Sequence, residues 1–382
     1  MKTNNYKPSN HRLAQAIALG FFAFAVNQAQ AVTYTFSDLG TITGPYAGAG
    51  ANGINNLGQV AGYGVSGNIY IPFVWNGDTA TQLDNGPGGV GGVVNSINDL
   101  GQSTGNNDMG NDTAYNAIRW DGTVGTQLDT VPGTFLTVGN GINNHGQIVG
   151  FVSPNAINAS AVRWDDIAKT DLGNLGGLTS VANSINDAGQ AVGYSTLTGE
   201  EAKHATLWIG NALTDLGTLG GTNSEALSIN NAGQIVGNSE LTGDGIKHAV
   251  LWDGLTSAPS DLGSLDLNSF AQANNNTGQI VGASTFADGN QHATLWDSSG
   301  LIDLNNYLTS DLTAAGWYLY QANDINDNGV IVGWAVNALD PALFGSFKLT
   351  PTTVPVPGAV WLFGSALAGF VGLSRRKQVV GA

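Results

Sequence analysis

Hydrophobic and polar residues alternate along most of this chain in short runs that end at Gly, Asn or Asp. Within residues 180–217 the alternation predicts four strands, at 180–185, 190–195, 204–208 and 212–217. A period of two indicates strands with one buried face. No segment carries an apolar period of 3.6 over the length of a helix. The pattern therefore predicts an all-β fold made of four-stranded units.

The phrase SINDAGQAVGYS at 184–195 occurs in seven related copies, and each copy has a Gly after a polar turn. These turn glycines are Gly58, Gly101, Gly146, Gly189, Gly233, Gly278 and Gly329. A Trp recurs at the end of the third strand at steps of 44 or 45 residues: Trp75, Trp120, Trp164, Trp208, Trp252 and Trp296. Four short strands per unit of about 44 residues predict a seven-bladed β-propeller, with each Trp packed between neighbouring blades.

Two glycines in each copy have different predicted roles. The turn glycine, such as Gly189, suits a hairpin loop that needs positive φ. The second glycine, such as Gly193, lies in the middle of a strand, where glycine is unfavourable. Its recurrence predicts a bulge or a close backbone approach near the propeller axis.

The two ends of the repeat region predict how the fold closes. Residues 32–40 match a fourth strand, whereas 344–350 match a third strand with Phe347 in the Trp position. Pairing these segments would complete the last blade and cover two strand edges. A β-solenoid of doubled 22-residue coils is the alternative, but it gives no reason to split one unit between the termini.

The first 31 residues have the three-part plan of a secretory signal peptide. Basic residues precede an apolar run at 13–26, and Ala29-Gln30-Ala31 forms a small-residue cleavage site. This order predicts export and a mature chain that begins at Val32.

The last segment, 351–382, also has three parts: a Pro motif, the apolar run 359–373 and a basic end. The motif and basic residues are Val354, Pro355, Val356, Pro357, Gly358, Arg375, Arg376 and Lys377. This segment resembles the PEP-CTERM sorting signal of Gram-negative bacteria that make exopolysaccharide, with Pro-Val-Pro in place of Pro-Glu-Pro. The resemblance implies processing by an exosortase after signal peptidase, transient membrane anchoring through 359–373, and a final place on the outer surface or in the extracellular matrix.

The repeat region, 32–350, resembles the HAF repeat of predicted extracellular proteins. HATLW at 204–208 and 292–296 and HAVLW at 248–252 carry the match, whereas the first three units lack the His. The resemblance implies an exported repeat scaffold and no defined activity.

Charge limits the partners. Between the two end segments, six basic residues stand against 28 acidic ones, which gives a net charge of −22. Such a surface repels the phosphates of nucleic acids and attracts divalent cations only loosely. We expect a monomer, with exopolysaccharide as a candidate partner. The chain has no Cys and therefore no thiolate metal site.

The recurring His and Asp residues are interpreted as structural, and the sequence assigns no catalytic, cofactor or metal residue. His204, His248 and His292 are 44 residues apart. Equivalent strands of adjacent blades lie about 10 Å or more apart, whereas metal ligands lie within about 2.3 Å of the ion. We expect these imidazoles to bond a neighbouring turn, and the acids of the recurring Asp-Leu pairs to bond turns or strand ends.

Three functions remain open. A non-enzymatic scaffold or interaction module fits the uniform repeat best. A glycan- or Ca²⁺-binding lectin could use rim pairs such as Asn55-Asn56 and Asn186-Asp187, although they lack EF-hand spacing. A polysaccharide lyase or hydrolase could draw acids from different blades. The insertion at 305–322 breaks the repeat, and Trp317, Tyr318 and Tyr320 form a candidate binding edge, unless the insertion is only a longer connection.

Overall fold

The computed structural model describes the chain in eleven ranges. These are residues 32–39, 48–77, 79–110, 115–130, 136–155, 158–199, 202–243, 245–254, 258–287, 289–340 and 342–353. Residues Val32–Thr352 form one compact unit. Strands dominate this unit, so the predicted all-β fold is confirmed.

The strands form antiparallel sheets of four. The first strand is β1 (Val32–Asp38). The next sheet contains β2 (Gly48–Ile54), β3 (Gln59–Ser66), β4 (Ile69–Asn76) and β5 (Thr79–Gln82). It is followed by β6 (Gly91–Ile97), β7 (Gln102–Asp108), β8 (Tyr115–Asp121) and β9 (Val124–Gln127), and then by β10 (Leu136–Ile142), β11 (Ile148–Ser153), β12 (Ser160–Asp165) and β13 (Ala168–Asp171). A single parallel pairing of Leu136 with Tyr115 joins these last two sets.

The later sheets repeat the same order. They contain β14 (Gly176–Ile185), β15 (Gln190–Leu197), β16 (Lys203–Ile209) and β17 (Ala212–Asp215), then β18 (Gly220–Ile229), β19 (Gln234–Leu241), β20 (Lys247–Asp253) and β21 (Ser260–Asp261), then β22 (Asn268–Asn274), β23 (Ile280–Thr285), β24 (Gln291–Asp297) and β25 (Gly300–Asp303). The final strands are β26 (Trp317–Ile325), β27 (Ile331–Asn337) and β28 (Phe344–Thr353). The four strands predicted in 180–217 are all present, with bounds that differ by a few residues.

The last sheet uses both ends of the compact unit. Its order is β1-β28-β27-β26, so the N-terminal strand is hydrogen-bonded to β28. The Leu39 N–H donates to the Ser346 carbonyl at 2.9 Å, and the hydroxyls of Thr33 and Thr352 lie 2.8 Å apart. The predicted pairing of residues 32–40 with 344–350 is therefore confirmed.

The recurring Trp side chains lie between sheets, as predicted. Trp252 of β20 is fully buried with Val192, Ala205 and Leu207 of the preceding sheet, and its Nε1–H donates to the Leu216 carbonyl at 2.8 Å. The corresponding bonds from Trp120, Trp164, Trp208 and Trp296 also reach a carbonyl just after the last strand of the preceding sheet. Each of these five Trp side chains thus fills an apolar interface while its polar atom is satisfied.

The mid-strand glycines show both predicted features. A Cβ on Gly193 would overlap the Val181 carbonyl oxygen on the paired strand. The strand pairing slips by one residue just beyond this point, between Ala182 and Ser184. The turn glycine Gly189 has φ of 73°, as its predicted hairpin role requires.

The insertion connects β25 to β26 through two short helices. It contains a short 3-10 helix, Leu304–Tyr307, and the five-residue helix α1 (Ser310–Ala314), which were not predicted. Leu304 is fully buried and anchors the segment in the core of the last sheet. Within the described ranges, no helix has the length and apolar character needed to cross a membrane.

Candidate functional site

Seven asparagines, one per repeat, join the sheets in a circle. We call them the inner Asn circle: Asn55, Asn98, Asn143, Asn186, Asn230, Asn275 and Asn326. The Nδ2 of each one donates to the backbone carbonyl of the next at 2.8–3.1 Å. Asn326 donates in turn to the Asn55 carbonyl at 2.9 Å. The seven hydrogen bonds therefore form an unbroken circle.

Each side chain of the inner Asn circle also fixes its own hairpin. The Oδ1 of Asn186 accepts from the N–H groups of Ala188 and Gln190 at 3.1 Å. Its Nδ2 donates to the Gln190 side chain at 2.7 Å as well as to the next sheet. All four hydrogen-bonding positions of a buried amide are thus used. This explains why no other residue type occurs at this position.

The next residue of each hairpin builds a second circle, which lines the same cavity as the first. We call it the rim circle: Asn56, Asp99, Asn144, Asp187, Asn231, Asn276 and Asp327. The backbone N–H of each member donates to the side-chain Oδ1 of the next at 2.8–2.9 Å, including Asp327 back to Asn56. The rim predicted from the Asn-Asp pairs is therefore present.

The carboxylate oxygens of the rim circle accept hydrogen bonds from side chains of the same circle. The Oδ2 atoms of Asp99, Asp187 and Asp327 accept from Nδ2 groups of rim asparagines at 2.8–3.4 Å. The axial cavity inside the two circles has a volume of about 170 Å³. In the described ranges, no three His, Asp or Glu side chains are grouped as a metal site requires.

Three His–Asp pairs recur in the fourth to sixth repeats. The Nδ1 atoms of His204, His248 and His292 lie 2.8–2.9 Å from carboxylate oxygens of Asp215, Asp261 and Asp303. We expected the imidazoles to bond a neighbouring turn. The hydrogen-bond partner in that prediction is wrong. Each His side chain bonds the acid of the Asp-Leu pair on the adjacent strand of its own sheet.

The acids of these pairs also hold the turns that follow them. Asp215 Oδ1 accepts from the Gly217 N–H at 2.8 Å, and Asp261 does the same for Gly263 at 2.7 Å. This confirms the predicted turn role. Burial raises the pKa of Asp303, but hydrogen bonds from His292 and Asn305 outweigh it and hold the pKa below its usual value.

A serine faces the histidine in each of these sheets. Ser195 is paired with His204 in the strand register, and Ser239 with His248. The Ser195 hydroxyl is buried and accepts from the Leu175 N–H at 2.8 Å. In the described ranges no hydrogen bond joins either serine to its imidazole. The arrangement therefore differs from a nucleophilic triad, in which the base holds the hydroxyl.

The predicted binding edge lies on β26 beside the sixth repeat. Its aromatic rings continue a row that begins at Phe286, which we call the aromatic seam: Phe286, His292, Tyr318 and Tyr320. Successive ring centroids lie 4.6, 5.9 and 6.5 Å apart. Tyr318 and Tyr320, two of the three predicted edge residues, therefore lie in this seam. The sequence did not predict that Phe286 and His292 form its other half.

Two cavities lie on either side of Trp317, the third predicted residue. One has a volume of about 250 Å³ and is lined by Asn290, His292, Thr313, Gly316, Trp317, Tyr318 and Ala338. The other, of about 270 Å³, is apolar and includes Leu308, Leu312 and Phe344 among its lining residues. The first cavity combines aromatic surface with an amide, a hydroxyl and an imidazole, as small-ligand sites do.

One acid interrupts the series of small residues that lie two positions before the inner Asn circle. Asp324 stands where the other repeats carry Gly53, Ser96, Gly141, Ser184, Ser228 and Ala273. Its carboxylate accepts from the Ile54 N–H at 2.8 Å and from the Ile325 N–H at 2.8 Å. Burial raises the pKa of Asp324 to about 7, although both backbone bonds act in the opposite direction.

The processing residues predicted in the two end segments lie outside the described residues. They are Ala29, Ala31, Val354, Pro355, Val356, Pro357, Gly358, Arg375, Arg376 and Lys377. Signal-peptide cleavage, exosortase processing and anchoring through 359–373 stay predictions.

The fold is a series of four-stranded antiparallel sheets. Its similarity to solved structures supports a β-propeller. The chain is similar to the β-propeller domain of the Trilobed protease from Pyrococcus furiosus, at 10% identity and a TM-score of 0.55, over 82% of this chain and 97% of that one. That domain has an open velcro topology. Here, by contrast, β1 pairs with β28.

Two further structures are similar over part of their length. A puromycin-hydrolyzing peptidase from Mycobacterium tuberculosis matches at 11% identity and a TM-score of 0.50, over 79% of this chain and 55% of that one. TolB from Acinetobacter baumannii matches at 12% identity and a TM-score of 0.40, over 70% of this chain and 61% of that one. This chain thus spans little more than half of either protein. No family model and no curated protein matches the chain.

Proposed function

We propose that the compact unit is a closed seven-bladed β-propeller whose last blade is completed by the N-terminal strand. The support is the inner Asn circle, which passes through every repeat and returns from Asn326 to Asn55. A solenoid has two free ends and offers no such return. Closure also covers the edges of β1 and β28, which would otherwise present unpaired backbone groups.

We infer that this propeller is exported and acts at the cell surface or in the exopolysaccharide matrix of a Gram-negative bacterium. The support is the sequence of the two ends, with the small-residue cleavage site at Ala29 and Ala31 and the Pro motif before an apolar run and a basic cluster. Mass spectrometry of the exported protein tests this. An intact segment 1–31, or the unprocessed tail in released material, would contradict it.

The propeller functions as a non-enzymatic interaction module. One observation carries this proposal: the polar side chains that recur in the repeats bond one another, in the inner Asn circle, the rim circle and the His–Asp pairs. These groups are therefore committed to structure. The insertion with Trp317 and Tyr318 is the place where the repeat opens a cavity with polar and aromatic walls.

The experiment is cosedimentation of the purified full-length chain with the extracellular polysaccharide of its own cells, with reducing ends and unsaturated products measured in the same samples. A module retains the protein in the pellet and releases no product. Saturable product release would establish a lyase or hydrolase instead. Repeating the assay with Ca²⁺ and with a chelator tests the alternative that the rim circle recruits the cation.

A second candidate, glycan recognition, is favoured by a specific observation. The cavity at the aromatic seam places the Tyr318 ring beside Asn290, Thr313 and His292. Flat apolar rings next to hydrogen-bonding side chains match the two kinds of surface that a sugar ring presents.

A further inference from the structure

We propose that the cavity at the aromatic seam binds one residue of a neutral hexopyranose chain; this inference rests on the module function proposed above and names the ligand class of its site. A hexopyranose has a face of C–H groups and a border of hydroxyls. The cavity has two matching kinds of wall, one made of aromatic rings and one made of polar groups.

The aromatic wall suits the C–H face. Tyr318 lines the cavity and is partly exposed, whereas Trp317, the preceding residue of β26, packs against the core of the last sheet. The negative face of an aromatic ring attracts the slightly positive hydrogens of a C–H surface. A cavity of about 150 Å³ holds a benzene ring, so the 250 Å³ here accommodates one six-membered sugar ring with its hydroxyls.

The polar wall suits the hydroxyl border. Asn290 contributes an amide, and Thr313 contributes a hydroxyl that donates to the Thr309 carbonyl at 3.2 Å and presents its oxygen as an acceptor. The His292 Nδ1 lies 2.8 Å from Asp303, and a neutral imidazole that donates there leaves Nε2 as an acceptor. The carboxylate thus holds the imidazole in one orientation, which lowers the cost of ordering it around a ligand.

The other two His–Asp pairs lack the surroundings that form this site at His292. His204 and His248 carry the same pairing to an acid, but no ring contact to either imidazole is seen in the described ranges. Their side chains are 19% and 18% exposed, against 28% for His292. Only the sixth repeat is followed by the insertion that supplies Thr313 and Trp317.

Charge favours a neutral sugar over an acidic one. Residues 32–353 carry a net charge of −22, and Asp303 lies directly behind His292. A uronate or a sulfated sugar would bring another negative charge into this field, which repels it. A neutral hexose avoids this penalty.

The test is titration calorimetry of the full-length chain, in a detergent without a sugar headgroup, against neutral hexasaccharides of glucose, mannose and galactose. The variants are Tyr318→Ala and His292→Ala, and the matched control is His248→Ala, which removes the same type of pair from a sheet without the seam. Circular dichroism and the urea midpoint verify that each variant folds. We expect wild type to bind at least one hexasaccharide, with affinity lowered at least about tenfold by both seam variants and changed less than about twofold by the control.

Three results would overturn the proposal. The first is equal loss in His292→Ala and His248→Ala, which would mark a structural role for both histidines. The second is unchanged affinity in a folded Tyr318→Ala variant. The third is a wild type that binds no hexasaccharide; if that protein still sediments with its own polysaccharide, the module function stands and only the neutral-sugar site is wrong.

Discussion

Asp324 should make the stability of the propeller depend on pH near neutrality. It is the only acid among the residues that lie two positions before the inner Asn circle, and it joins the last repeat to the first by accepting from the Ile54 N–H. Ser184 makes the equivalent contact between two other repeats, accepting from the Ile229 N–H at 3.4 Å. Asp324→Ser therefore installs the residue that three other repeats already carry.

The magnitude follows from the pKa. Burial raises the pKa of Asp324 from 3.8 to about 7, so the folded state binds a proton that the unfolded state has released. The stabilising contribution is complete below pH 3.8 and is lost as the pH rises through 7. A shift of this size corresponds to about 4 kcal/mol. Asp324 is partly exposed to solvent, and this screening makes the figure an upper limit.

The assay is urea unfolding of the full-length wild type and Asp324→Ser between pH 5 and pH 8.5, followed by tryptophan fluorescence. We expect the variant to gain stability relative to wild type as the pH rises, by a few kcal/mol across the range. The m-value should stay constant, because the surface exposed on unfolding does not change. A stability difference that is the same at every pH would refute the assignment of a raised pKa to Asp324.

Three further outcomes follow from the contacts of the repeats. Asn186→Ala removes four hydrogen bonds and leaves buried partners unsatisfied, so it should lower the free energy of unfolding by about 2–4 kcal/mol. Asn231→Ala, on the exposed rim circle, should lower it by less than about 1 kcal/mol. Urea unfolding midpoints of the two variants measure the difference. Gly193→Ala should prevent native folding, because its Cβ would overlap a backbone carbonyl, while Gly345→Ala, with open space around it, should fold and give a native circular dichroism spectrum. Trp252→Phe should cost about 1–3 kcal/mol, measured by the same unfolding assay, through the lost indole hydrogen bond and the smaller ring.

Much of the fold could be predicted because each signal is local and occurs several times. The turn glycine, the mid-strand glycine and the Trp each report a backbone or packing constraint that has the same form in every repeat. The split unit at the termini predicted the pairing of β1 with β28 for the same reason, since 32–40 and 344–350 each match a known part of the repeat.

The site was harder to predict because it depends on contacts between repeats and on the register of strands. Asn186 recurs as clearly as Gly189, yet its donation to the next sheet depends on how two hairpins meet. The partner of His204 depends on the fourth strand lying beside the third, which brings Asp215 diagonally across from it. Phe286 shows no repeat signal at all, so its contact with His292 could not be read from the sequence.

The rim circle explains its own mixture of Asn and Asp without a bound cation. A carboxylate accepts hydrogen bonds but donates none, so two neighbouring acids would have no side-chain donor between their Oδ2 atoms and would repel. Around the circle every Asp has an Asn on both sides, and each acidic Oδ2 accepts from both of them. Seven positions are an odd number, so strict alternation cannot close. The single defect falls at Asn231 and Asn276, where the neutral residue is repeated rather than the charged one. Three is therefore the largest number of acids that a seven-membered circle can hold without placing two of them side by side, and this circle has three.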